Sequence, residues 1–94
     1  MFEIITFRLA DGVDEAVFRT VDGRVQVEFA YQQPGFLRRT LGRRDETWLV
    51  LQIWRSSAAA HAASVAFAAT PLGREFQALI DLDSLVVDRY EGVD

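Results

Sequence analysis

The 94-residue chain has no cysteine and no lysine, a single histidine and only two prolines. Without cysteine there is no disulfide, thiolate nucleophile, zinc–thiolate site or iron–sulfur cluster. All ten basic residues are arginine, so no side-chain amine exists for Schiff-base chemistry. One histidine excludes a multi-histidine catalytic zinc site and the facial triad of non-heme iron, and no metal or organic cofactor is expected. Glycine-rich phosphate loops, a nucleophile elbow and a kinase-like residue set are all missing. No apolar run approaches the ~18 residues of a membrane span, and the opening MFEIITFRLADG has no basic segment followed by a cleavage site. The expectation is a soluble cytoplasmic protein that does not engage a membrane. A formal net charge of −4 argues against nucleic acid as a partner, because phosphate binding needs a basic face.

Half of the residues are hydrophobic and 26% are charged, the composition of one globular domain over 1–94. A chain this short buries only about 60–70% of its surface by folding alone, so a partner surface would help it. Residues 2–9 are rich in β-branched and aromatic side chains and stop at Ala10-Asp11-Gly12, which predicts a first strand. From 13 to 32, Val13, Val17, Val21, Val25 and Phe29 recur every fourth position, with Ala16 and Phe18 widening the stripe. This predicts a long amphipathic helix capped by Asp11 or Asp14. Pro34-Gly35 ends it. Residues 36–41 and 47–54 read as two strands joined by a loop over 42–46. Both faces of the later strand are apolar, so both are expected to be covered. Ser56 or Ser57 can cap an alanine-rich helix over 58–69, and Thr70-Pro71 starts another carrying Leu72, Phe76, Leu79 and Ile80 on one stripe. Residues 82–90 close the chain as a strand, with 91–94 a short tail.

The order βαββαβ specifies an α+β, ferredoxin-like fold, a four-stranded antiparallel sheet with its helices on one face. The other face carries too many large apolar residues to stay wet. Packing against its own copy about a two-fold axis would bury it, so a homodimer through that face is expected.

The helix-ending Pro34-Gly35-Phe36 and the strand from Trp48 to Trp54, running into Arg55-Ser56-Ser57 and an alanine-rich helix, resemble the antibiotic biosynthesis monooxygenase-like group of dimeric α+β barrel proteins. The resemblance covers nearly the whole chain. It implies a homodimer whose two sheets face each other as a barrel, with a small cavity in each subunit between sheet and helices. Members similar to cofactor-independent monooxygenases oxidise polycyclic aromatic compounds, and others degrade heme. The heme-degrading branch carries an asparagine late in the first strand, a tryptophan on the second helix and a heme-ligating histidine further along it. This chain has Ile5 or Thr6, about Ala63 and about Gly73 at those places, and His61 lies about three turns too early.

Six residues are candidates for a site. His61 is the only side chain whose unperturbed pKa lies near neutrality, which makes it a possible general base, against its reading as a surface or packing residue. Tyr31, at the end of the first helix, could donate a hydrogen bond at a cavity mouth or simply face solvent. Trp48 and Trp54 share a strand face and could wall an aromatic pocket or fill the core and dimer contact. Arg39, in a basic cluster with Arg38, Arg43 and Arg44, could clamp a carboxylate or serve in salt bridges. Thr6 shares a face with Arg8 and needs a cavity or partners such as Glu28 and Gln52. The leading expectation is a homodimer that binds a small apolar aromatic molecule and oxidises a quinol or polycyclic compound without a cofactor. A non-catalytic dimeric binding or regulatory module, and a small isomerase or lyase on the same fold, remain open.

Overall fold

A computed structural model describes all residues, 1–94. Strand β1 spans Phe2–Leu9, and its alternation puts Glu3, Ile5 and Phe7 on one face. Helix α1 covers Glu15–Arg24. Asp14, not Asp11, caps it, its Oδ1 accepting from the backbone N–H of Ala16 at 2.7 Å and of Val17 at 3.3 Å. The helix then widens into a π-helical turn over Val25–Phe29 and tightens into a 3-10 turn over Ala30–Gln32.

This differs from the uninterrupted helix expected over 13–32, and the spacing explains it. A four-residue repeat drifts by about 40° per step on a 3.6-residue turn. Val17 accordingly falls outside and is exposed, while Phe18, Val21 and Val25 face the core. A π-turn inserts an extra residue per turn and lets a wide stripe stay in contact, so Ala30 returns to the core.

Strands β2 (Phe36–Arg44) and β3 (Thr47–Trp54) form a hairpin. The strands run closer together than the expected loop over 42–46: Arg44 pairs with Thr47, leaving only Asp45 and Glu46 to turn. Asp45 has φ 53°, a left-handed conformation that aspartate tolerates better than most residues. Helix α2 spans Ser57–Ala68, with Ser56 Oγ accepting from the Ala59 N–H. Helix α3 spans Pro71–Ala78. Its cap is Thr70, whose Oγ1 accepts from the Gly73 N–H at 2.9 Å and donates to the Phe67 carbonyl at 2.8 Å. Strand β4 takes Ile80–Tyr90, so Ile80 opens a strand rather than ending the helical stripe.

The four strands lie in the order β2-β3-β1-β4, every neighbouring pair antiparallel, the ferredoxin-like arrangement. Between Thr6 and Arg8 the partner jumps from Val86 to Asp81, so β4 carries surplus residues as a bulge. Ser84 closes it, its Oγ accepting from the Arg8 N–H and donating to the Asp81 carbonyl.

Because paired residues share a face, the register sorts the sheet. Glu3, Ile5, Phe7, Trp48, Val50 and Gln52 face the helices. There Phe7, Phe18, Trp48 and Phe76 pack ring on ring, with centroids 4.9–6.0 Å apart. Offset and edge contacts of this kind add to what burial contributes. The opposite face holds Phe2, Ile4, Thr6, Leu49, Leu51, Ile53 and Val86, and no helix of the chain covers it. No helix is long and apolar enough to cross a membrane.

Candidate functional site

Beneath the helices, beside the aromatic core, lies a cavity of about 180 Å³. Its floor comes from the sheet: Ile5, Val50, Gln52 and Trp54, with Glu3 and Arg39 among them. Its roof comes from the π-turn and 3-10 turn (Val25, Phe29, Ala30), from α2 (Ala60, Ala63, Ser64, Phe67) and from α3 (Phe76, Gln77). The alanines matter here, since each contributes a wall with almost no side-chain volume. Leu82, Leu85 and Val87 of β4 and Ser64 and Gln77 of the helices are exposed members of the lining, so the space opens between β4 and the helices.

Two charge pairs are set into this apolar wall. Glu3 is 4% exposed. Its Oε1 accepts from Gln52 Nε2 at 2.7 Å and its Oε2 from Arg89 Nε at 2.9 Å. All three lie on the helix-facing side because Glu3 pairs with Gln52 on β3 and Arg89 on β4. Arg39 is also buried, and its guanidinium forks onto Asp22 of α1, with Nη2 to Oδ1 at 2.6 Å and Nη1 to Oδ2 at 3.1 Å. Such a bidentate pair fixes orientation as well as charge. Neither pair leaves a net charge in the cavity.

The structure separates the candidate residues. Trp54 and Arg39 line the cavity; Trp48, Tyr31, His61 and Thr6 are not among its lining residues. Trp48 shares a face with Trp54, but it stands under Phe18 at 4.9 Å with the Arg43 guanidinium 5.2 Å from its ring, filling the core. Tyr31 is 53% exposed, its hydroxyl accepting from Gln26 Nε2 and its ring against Phe36. His61 is exposed because Ala60 and Ala63 take the inward positions of α2. Thr6 points to the open sheet face, since its neighbours Ile5 and Phe7 point inward. Arg39 has its fork occupied by Asp22, which leaves no free clamp for a carboxylate.

The residues that sequence reasoning missed are Glu3 and Arg89. The available signal was an acid at the first inward position of an otherwise apolar strand face, in step with Ile5 and Phe7. Gln52 satisfies Glu3 rather than Thr6 or Arg8, and Glu28 pairs with Arg24.

The Trp54 indole N–H is buried without an acceptor, in a small cluster with Ala60 and Ala63. An unsatisfied buried donor of this kind costs about 1–3 kcal/mol. No group of three or more acidic or histidine side chains could hold a metal ion. The guanidinium of Arg24, away from the cavity, has its pKa raised above the ordinary arginine value. The hydrogen bond to Glu28 is the main cause, followed by the charge of Glu75.

Among solved structures the fold is shared at full length. SnoaB, a cofactor-independent oxygenase from Streptomyces nogalater, superposes with TM-score 0.76 at 22% identity, covering 99% of this chain and 92% of that one. A variant of the same oxygenase reaches TM-score 0.79. A structure described as an antibiotic biosynthesis monooxygenase matches at TM-score 0.64 and 18% identity over the whole of both chains. The chain therefore has the antibiotic biosynthesis monooxygenase-like, ferredoxin-like fold. No family model matches the sequence, and no curated protein does.

Proposed function

We propose that the protein is a homodimer in which each subunit binds one small, mostly apolar aromatic molecule beneath its helices and oxidises it with dioxygen, without a cofactor. The observation that carries the reading is the cavity itself. At about 180 Å³ it is close to the ~150 Å³ of an apolar engineered cavity that holds benzene. It is well below the ~300–1,000 Å³ of drug-sized sites. A compound of one ring fits the space better than a polycyclic one.

In such a reaction a hydroquinone gives two electrons and two protons to dioxygen, leaving the quinone and hydrogen peroxide. The protein contributes an apolar wall that excludes water. The fold shared with SnoaB, described as a cofactor-independent oxygenase, supports this chemistry by analogy.

The homodimer rests on the open sheet face. Val86 is 50% and Phe2 40% exposed on one subunit, beside Ile4, Leu49, Leu51 and Ile53 on the same face. A contiguous apolar face of this kind is normally a contact surface, and a two-fold axis covers it with its own copy.

Saturable quenching of tryptophan fluorescence by p-cresol, together with oxygen uptake on hydroquinone, tests the reading. Quenching without oxygen uptake points instead to a non-catalytic binding module. That second reading is favoured by one observation: neither His61 nor Tyr31 lines the cavity.

A further inference from the structure

We propose that Glu3 selects the ligand, its carboxylate accepting the hydrogen bond of a hydroxyl on a neutral ring compound. The cavity then prefers phenols to their ethers and to aromatic carboxylates. This rests on the reading of the cavity as a binding site and names the substrate class that site takes.

Three observations support it. First, Glu3 is buried and stands among the lining residues, yet its carboxylate receives only two side-chain hydrogen bonds, one on each oxygen. An ionised carboxylate offers about four lone-pair positions, so two remain without a protein donor.

Second, the pair is a poor stability device. Arg89 is about half exposed while Glu3 is buried, so the carboxylate bears the desolvation cost while its partner stays in water. An apolar residue at position 3 would continue the Ile5–Phe7 face without that cost. A ligand hydroxyl donating to the free lone pairs would supply part of the missing solvation.

Third, the charges in the wall are already matched, Glu3 by Arg89 and Arg39 by Asp22. An anionic ligand would face the Glu3 carboxylate and find the Arg39 fork occupied. A cation would find Glu3 taken by Arg89. A neutral donor adds a hydrogen bond and disturbs neither pair. Trp54 lies in the same lining and gives the optical readout.

The test titrates the intact protein with three probes of similar size, p-cresol, 4-methylanisole and 4-methylbenzoate, and follows tryptophan fluorescence. The expected result is p-cresol binding about tenfold or more tightly than 4-methylanisole, the size of a hydrogen bond to a charged group, with 4-methylbenzoate weakest. In Glu3→Gln, which keeps the shape and removes the charge, the phenol–ether gap should shrink to about threefold or less while the ether affinity holds. Equal affinities for phenol and ether in the wild-type protein overturn the inference and leave the cavity standing as a binding site. No saturation by any probe overturns both. The wild-type comparison decides even if Glu3→Gln fails to fold.

Discussion

The buried pair between Asp22 and Arg39 offers a sharp test of what the polar residues under the helices do. Their side chains are 6% and 3% accessible, joined by hydrogen bonds of 2.6 and 3.1 Å, and they tie α1 to β2. Removing one partner leaves an uncompensated charge out of water, which costs about 3–5 kcal/mol. Set against the ~5–15 kcal/mol of a whole domain, that is a large share. At about 4–8 °C per kcal/mol for a domain of this size, the melting temperature should fall by some 12 °C or more. Replacing both partners with apolar side chains is a different perturbation, because neither charge remains to be solvated, and the result ranges from neutral to stabilising. Asp22→Leu and Arg39→Met should therefore each be strongly destabilising, and the double variant should be more stable than either. Urea denaturation at one fixed protein concentration measures all three, fixed because the proposed dimer would make stability depend on concentration. Single costs below about 1 kcal/mol, or a double cost equal to the sum of the singles, would refute the reasoning. An Arg39→Met variant that loses ligand binding without losing stability would restore Arg39 as a ligand clamp.

Other outcomes follow from particular contacts. Gly73→Ala should cost about 1–3 kcal/mol in denaturant melts, because a Cβ there runs into the Phe67 carbonyl. Gly23→Ala, in open space on α1, should instead gain roughly 0.5–1 kcal/mol from helix propensity. Thr70→Ala removes the cap of α3 and the bond to Phe67, and should lose about 1 kcal/mol in the same assay. Leu51→Arg puts a charge in the middle of the open sheet face. Light scattering should show it as a monomer near 10.6 kDa, with the wild-type protein at twice that mass; equal masses would remove the case for a sheet-to-sheet dimer.

What the sequence made legible is local. The strand and helix order, the cap at Thr70 and the break before Pro71 depend on residues within a few positions of each other, and all are present in the fold; for the other two caps the sequence offered Asp11 or Asp14 and Ser56 or Ser57, and the fold uses Asp14 and Ser56. The π-turn was hidden because a stripe recurring every fourth residue reads as an ordinary helix until the 40° drift is counted. The bulge in β4 was hidden because Ser84 fills it through a bond to Arg8, 76 residues away. The site was less legible for the same reason. Glu3 meets Gln52 and Arg89 across 49 and 86 residues, and only the sheet register brings them together. Period-two reasoning placed Trp48 and Trp54 on one face correctly. It could not tell that α1 descends on Trp48 while the small side chains of α2 leave space over the strand toward Trp54. Titration chemistry pointed to His61, but the inward positions of α2 belong to alanines, and a histidine between them turns outward.

On the proposed function, the space beneath the helices, and not the open sheet face, receives a small neutral aromatic molecule. Alanine- and valine-methyl NMR during a p-cresol titration tests it most directly. Saturable shifts are expected at Ala60, Ala63, Val25 and Val50, which line the cavity, with the exposed Ala16 and Ala58 unmoved. Shifts confined to Val86 on the open face, or no saturable shift at any cavity methyl, would contradict it.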